Sequence, residues 1–266
     1  MNSGIRRTAI AAAALLTIGR VGADVPPGRP APAVLVELFT SQGCSSCPPA
    51  DRLLARLGAE EGPRIVPLAF HVDYWNHAGW SDPFSRHAWS ARQEAYVRRF
   101  ALPAEYTPQA VVDGEAQLVG SREADLRAAI AAAAARPAAA ISLAAERRDR
   151  KVLVTARVDR PATIASRRLD LMFALFEKGL DTKVGGGENG GQVLHDEYVV
   201  RSLDRGAKLE SASPQPTEHS ISLRLGRGWD ASRLGVAAFL QDPKTLEIFG
   251  ASAVPVSGSR EVVDAR

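Results

Sequence analysis

Cysteine is almost absent from this chain. Its 266 residues hold two, and both fall in one motif, Cys44-Ser45-Ser46-Cys47. With no third or fourth cysteine, a framework of disulfides between distant segments is excluded. A bond inside so short a loop contributes only about 2 kcal/mol through chain entropy, less than a longer closure gives. Stabilisation is therefore a weak reason for the pair, and chemistry is the stronger one. A strong charge of one sign is also missing. The net charge is +3, and the sequence pI of about 9.1 comes with no basic stripe interleaved with aromatics, so no nucleic-acid partner is expected. Long apolar runs are missing too. The one candidate, residues 8–18, is too short to span a bilayer, and no later segment is longer and as apolar, so no membrane span is expected in the mature chain.

That short run has a different reading. Arg6 and Arg7 precede it and Val21-Gly22-Ala23 follows it, the charged, apolar and small-residue order of a secretory signal. Residues 1–23 are thus expected to be a signal peptide and 24–32 a proline-rich linker. The Ala- and Arg-rich composition suits a bacterial protein secreted to the periplasm. Hydrophobic residues at 45% and charged residues at 24% describe an ordinary globular remainder.

Residues 33–39 (AVLVELF) and 65–70 (IVPLAF) are short, nearly continuous apolar runs, the pattern of strands buried on both faces. Between them Ala50, Leu53, Leu54 and Leu57 recur at helical spacing after Cys47. Asp82-Pro83 reads as an N-cap followed by proline at the first helical position, opening a helix to about Phe100. Tyr106-Thr107-Pro108 precedes a strand over 109–112, Asp113-Gly114 turns the chain into a partner over 116–119, and Ser121 opens an Ala-rich helix that ends before Pro137. This order predicts a mixed sheet with helical crossovers over residues 33–136. Beyond Pro137 several short strand patterns, at 141–145, 152–158, 169–176, 193–201, 221–225, 234–240 and 246–254, follow without helices between them. They predict an all-β sandwich-like domain over 139–256, with 257–266 as a disordered tail.

A Cys-x-x-Cys between a strand and a helix is more specific than the motif alone. Near a helix N-terminus the dipole and unpaired N–H groups favour thiolate, the reacting form. Cys44 is then expected to attack a disulfide from the solvent side, and Cys47 to resolve the mixed disulfide. If strands 33–39 and 65–70 are parallel neighbours, their C-terminal ends share one sheet edge, where open α/β sheets build their sites. His71, Asp73, Tyr74 and Trp75 would then wall the pair as substrate-binding residues; the alternative is that they point into the core, or onto the β-sandwich, and merely join the domains. The aromatics Tyr74, Trp75, Trp80, Phe84 and Trp89 crowd this segment, and core packing or a substrate platform both fit. Residues 185–191 read as a flexible hairpin tip.

Residues 33–136 resemble a thioredoxin-fold domain, with Val34-Leu35-Val36-Glu37-Leu38-Phe39 and Cys44-Ser45-Ser46-Cys47 similar to its first catalytic strand and active-site turn. The resemblance implies that Thr107-Pro108 is a cis-proline loop that lies against the pair and meets substrate backbone. It also implies that Glu37, one residue out of step, is a buried acid serving Cys47 as a catalytic group. No tryptophan precedes Cys44, and Pro48-Pro49 follows the motif instead of proline lying within it. Across most of the mature chain, including His71-Val72-Asp73-Tyr74-Trp75 and Gly187-Glu188-Asn189-Gly190-Gly191, the sequence also resembles a secreted bacterial family called domain of unknown function number twelve twenty-three. Its fold is thioredoxin-like and the resemblance implies no activity.

The expected architecture is therefore an α/β thioredoxin-like domain, a mixed sheet with flanking helices, followed by an all-β sandwich-like domain. The expected function is a periplasmic thiol–disulfide oxidoreductase working on protein or peptide disulfides through Cys44 and Cys47, with a redox partner and without a cofactor or resident metal. The alternative is a non-catalytic module that binds copper or a partner. Two thiolates suit a soft cuprous ion, whereas zinc would need two more ligands, such as His71 or His77, delivered by the fold.

Overall fold

The computed structural model describes Met1 and residues 32–164, 167–210 and 215–258. The expected signal peptide, nearly all of the linker and most of the tail lie outside the described residues. The first segment runs β1 (Val34–Thr40), α1 (Pro48–Glu61), β2 (Ile65–His71), α2 (His87–Arg99), β3 (Gln109–Val112), β4 (Ala116–Val119) and α3 (Glu123–Ala134). The second is built of strands: β5 (Ala140–Arg148), β6 (Lys151–Asp159), β7 (Leu169–Glu177), β8 (Leu180–Lys183), β9 (Val193–Asp196), β10 (Val199–Leu209), β11 (Thr217–Arg224), β12 (Leu234–Gln241) and β13 (Ile248–Pro255). Among the described residues no helix is long and apolar enough to cross a membrane.

The expected division into an α/β thioredoxin-like unit and a following β-sandwich does not describe this fold. Strands of both segments join one eight-stranded mixed sheet, in the order β13-β12-β7-β10-β2-β1-β3-β4. The seam is β10 on β2, parallel, with Val199 opposite Ala69. Among the described residues the protein is mostly β, and three α-helices are few for so large a sheet. The physical reason lies in β7 and β12. Both are buried along almost their whole length, so they need cover on two faces, which a free-standing sandwich strand does not have. The three-stranded sheet of β5, β6 and β11 covers one face of these strands and α2 the other.

One face of the sheet is covered by α1 and α3, which bury Val34, Val36, Leu38, Ala69 and Val112, and by a separate three-stranded sheet, β11-β6-β5. The latter packs Ile141, Val154, Ala156 and Leu223 against Leu171, Phe173, Val236 and Ala238. The opposite face carries α2, whose Trp89 and Tyr96 sit among Leu35, Phe39, Phe70, Ala174 and Phe239. β8 and β9 form a hairpin of their own. The parallel pairing of β1 with β2 puts Thr40 opposite His71, so the loops that leave both strands rise together. This edge carries the site.

Candidate functional site

The loop after β1 leads directly into α1. Cys47 is its N-cap residue and Pro48 and Pro49 open the first turn, where proline loses no helical hydrogen bond. Cys44 lies one turn of chain earlier, its carbonyl accepting the Cys47 N–H at 3.2 Å. Both cysteines are free thiols with sulfurs 2.6 Å apart. Their surroundings differ in one decisive way. Cys44 Sγ meets the Ser46 hydroxyl at 3.2 Å and receives the Thr107 hydroxyl at 3.3 Å. The bond from Cys47, helped by those two hydroxyls, outweighs burial and lowers its pKa to about 6. Burial drives Cys47 strongly the other way, and the charges of Asp51 and Cys44 add to it. One sulfur is held as thiolate and the other as thiol.

Exposure corrects one expectation. Cys44 is 1% exposed and Cys47 0%, so the sulfur expected to attack does not lie open to solvent. The neighbouring Ser45 and Ser46 are exposed, and Thr107 is half-buried beside the pair. The Thr107–Pro108 bond is cis, and the Thr107 carbonyl lies 4.0 Å from Cys44 Sγ. Pro108 itself is buried.

The four residues after β2 fare differently from one another. Trp75, half-buried, donates its indole N–H to the Thr107 hydroxyl at 2.8 Å, and thus reaches the pair through one intermediary. Tyr74 is exposed and donates to the Gln93 side chain at 3.1 Å. Asp73 turns away toward α2, where it accepts from Ser90 and stands 3.5 Å from His87. His71 points inward and is buried.

Glu37 is not brought to the cysteines. It projects from β1 on the face covered by α2, where its carboxylate pairs with Arg92 and accepts from the Tyr96 hydroxyl. Strand alternation explains the miss: a shift of one residue from the expected position sends the side chain to the other face of the sheet. The acid on the cysteine side is Asp51, four residues after Cys47 and therefore on the same face of α1. Burial and the nearby Asp196 charge raise it to about 7.

Asp51, half-buried, lies beside a buried polar cluster beneath the loop, close enough to feel Asp196 and His71. His71 Nδ1 lies 2.8 Å from Asp82 Oδ2, and its Nε2 faces Asp196 at 3.9 Å. Burial alone would depress His71, but Asp82 and Asp196 outweigh it and lift it to about 9. Asp82, expected to cap a helix, instead accepts the Gln42 and Phe84 N–H groups at 2.8 and 2.9 Å, and α2 starts five residues later at His87. Gln42 ties the cluster together, donating to Asp196 at 2.7 Å and accepting from the Trp80 indole at 3.1 Å. Among the described residues no group of three or more His, Cys, Asp or Glu is arranged to hold a metal ion.

The segment 185–191 is not a free hairpin tip. It crosses the cysteine loop: Asn189, buried, donates to the carbonyls of Gln42 and Cys44 at 2.9 and 3.0 Å. Glu188 accepts the Ser45 N–H at 2.9 Å. Of the residues that sequence reasoning missed, Asp51 was signalled by helical spacing from Cys47. Asp82, Asp196 and Gln42 carry no local signal, because their roles arise from contacts between distant segments.

A family model described as "Protein of unknown function (DUF1223)" matches residues 35–241. No curated protein matches the chain. Among solved structures it is similar to the X-ray crystal structure of protein AGR_C_4864 from Agrobacterium tumefaciens, with 25% identity and a TM-score of 0.65, over 84% of this chain and 94% of that one. HBP35 of Porphyromonas gingivalis is similar in fold, with 16% identity and a TM-score of 0.61, over 85% of this chain and 75% of that one.

Proposed function

We propose that this chain, which belongs to the family described as a protein of unknown function (DUF1223), is a thiol–disulfide oxidoreductase of the bacterial periplasm. One observation carries the reading: two free cysteines in contact at the start of α1, with the Ser46 and Thr107 hydroxyls on Cys44 Sγ. The bond from Cys47 and those hydroxyls lower the pKa of Cys44, while burial raises that of Cys47. A structural pair has no use for that asymmetry, and exchange chemistry depends on it. The charged, apolar and small residues of the N-terminus support the secreted location.

In the forward direction the Cys44 thiolate attacks one sulfur of a protein or peptide disulfide. A Cys44–substrate disulfide forms and the other substrate sulfur leaves as thiolate. Cys47 then gives its proton to the Asp51 carboxylate and attacks Cys44 Sγ. The Cys44–Cys47 bond forms, and the first substrate sulfur departs with the bonding pair and takes up a proton. A redox partner restores the dithiol by the same steps reversed. The test is exchange with glutathione and turnover of a protein disulfide. Wild-type protein that does neither would refute the proposal.

Two predictions arise from this geometry. Asp51→Asn keeps the shape and removes the proton acceptor. Loss of a positioned general base typically costs on the order of 10²-fold, so the mixed disulfide should persist about that much longer at pH 7. Alkylation of Cys44, which needs no such acceptor, should keep its rate. Stopped-flow or quench measurement of the two steps separates them. Trp75→Ala removes a ring beside Thr107 that offers an unfolded peptide apolar area with few rotatable bonds. Exchange with a protein disulfide should slow about fivefold, and exchange with glutathione disulfide should change little. Equal losses on both would mean that Trp75 only packs.

A further inference from the structure

The strap of residues 185–191 lies at the tip of the β8–β9 hairpin, far in sequence from the motif it touches. Its approach to the site is backbone to backbone. A Cβ on Gly186 would stand 2.5 Å from the Gly79 carbonyl oxygen, and Gly187, at φ +68°, packs on Ala78 and Trp80. Only residues without side chains allow that contact. It delivers Asn189 into a buried position where the whole amide is used. Its Nδ2 donates to the carbonyls of Gln42 and Cys44, and its Oδ1 accepts from Gln192 Nε2 at 3.3 Å. Both carbonyls flank Gly43, so the amide fixes how the loop enters the motif. Glu188 fixes how it leaves, through the Ser45 N–H.

We propose that Asn189 and Glu188 are positioning residues of the redox centre, which hold the Cys44 loop so that its sulfur stays within reach of the Ser46 and Thr107 hydroxyls. The idea rests on the reading of Cys44 as the attacking thiol. The strap grips the Cys44 backbone from two sides and leaves the sulfur to its own donors. An exposed carboxylate such as Glu188 gains little stability from one N–H, so the value of that contact is geometric. Loosening the loop lengthens the hydroxyl contacts to Cys44, and a thiolate that loses its donors becomes more basic. The groups that bear on Cys44 are then Cys47 and Asp51 from α1, the hydroxyls of Ser46 and Thr107, and Glu188 from the strap.

The test is the pH profile of Cys44 alkylation in the full chain, read together with the equilibrium against glutathione. Asn189→Ala should raise the alkylation midpoint by about one pH unit, cutting thiolate about fivefold at pH 6. Because the reduced form loses that stabilisation, the glutathione equilibrium at pH 7 should move about fivefold toward the Cys44–Cys47 disulfide. Glu188→Ala should shift both in the same direction, and Glu188→Gln, which keeps an oxygen for the Ser45 N–H, should restore wild-type values. If Asn189→Ala fails to fold, the two Glu188 variants at their exposed position give the same reading. Folded variants with the wild-type midpoint and equilibrium would overturn the role of the strap. A wild-type Cys44 with an ordinary thiol midpoint would overturn the reading of the pair itself, and the two failures are distinguishable.

Discussion

Replacing Cys47 by serine should turn the protein into a covalent trap for its substrates, and replacing Cys44 by serine should cut exchange by about 10³-fold or more. The asymmetry of the two sulfurs dictates both outcomes. Cys44, with its pKa lowered to about 6 by the Cys47, Ser46 and Thr107 bonds, is mostly thiolate at pH 7, whereas burial keeps Cys47 protonated. Thiolate is the only competent nucleophile, so a chain without Cys44 retains a second sulfur that is both masked and inactive. A chain without Cys47 retains the attack and loses the resolution.

The sign of the pH dependence follows. Alkylation of reduced protein should rise through pH 6 and level off near neutrality, with the label on Cys44 at least about 100-fold ahead of Cys47. In Cys47→Ser the bond from Cys47 is replaced by one from a hydroxyl, a stronger donor than a thiol, so the midpoint should stay well below that of an ordinary thiol. Peptide mapping after differential alkylation reads the order, and non-reducing gels of Cys47→Ser exposed to a mixture of secreted proteins read the trapped adducts. Faster labelling of Cys47, or a midpoint near 8.5, would mean that the thiolate sits elsewhere. Because Cys44 is almost fully buried, bulky alkylating reagents should react more slowly than small ones at every pH.

How much of this was legible in the sequence depends on the range of the contact. The strands 33–39 and 65–70, the helix after Cys47 and the hairpin after Pro108 were all legible, because apolar periodicity and turn residues act over a few positions. The sheet that joins both halves was not. Its seam is a pairing between Val199 and Ala69, and no local pattern in either strand names its partner. The continuous burial of β7 and β12 was the available clue, since sandwich strands normally alternate. In the site, spacing points to Cys44, Cys47 and Asp51. Asp82 was misread because an Asp-Pro pair announces a helix cap, yet here the carboxylate is used by Gln42, Phe84 and His71. Asn189 sat in a glycine-rich stretch that looks flexible by composition. Those glycines serve close packing against residues 78–80 instead.

Arg92→Ala should destabilise the protein by about 3–5 kcal/mol, the usual result of stranding one partner of a buried ion pair. Glu37 is 0% exposed and the Arg92 side chain 11%, and no other cation is bonded to that carboxylate among the described residues. The guanidinium is also enclosed by three rings, Phe70, Tyr96 and Phe239, at 5.5, 5.5 and 5.6 Å, and it donates to Gln241 at 3.2 Å. Glu37 comes from β1, Arg92 and Tyr96 from α2 and Gln241 from β12, so the network pins the helix across strands of both segments. A domain has only about 5–15 kcal/mol of stability in total, and for a chain of this size each kcal/mol is worth about 2–4 °C in Tm. Thermal melts should therefore show a fall of about 6–20 °C. Removing both charges at once tests the mechanism. Glu37→Gln combined with Arg92→Met leaves no orphan ion, and should recover most of the loss, giving a coupling energy of about 2 kcal/mol or more in the double-mutant cycle. Purely additive losses would show that the rings, not the ion pair, hold α2 in place. Glu37→Gln alone separates the structural role from the catalytic one that the resemblance implied. It should lower Tm and leave the lifetime of the mixed disulfide where it was, because the carboxylate that acts on Cys47 is that of Asp51.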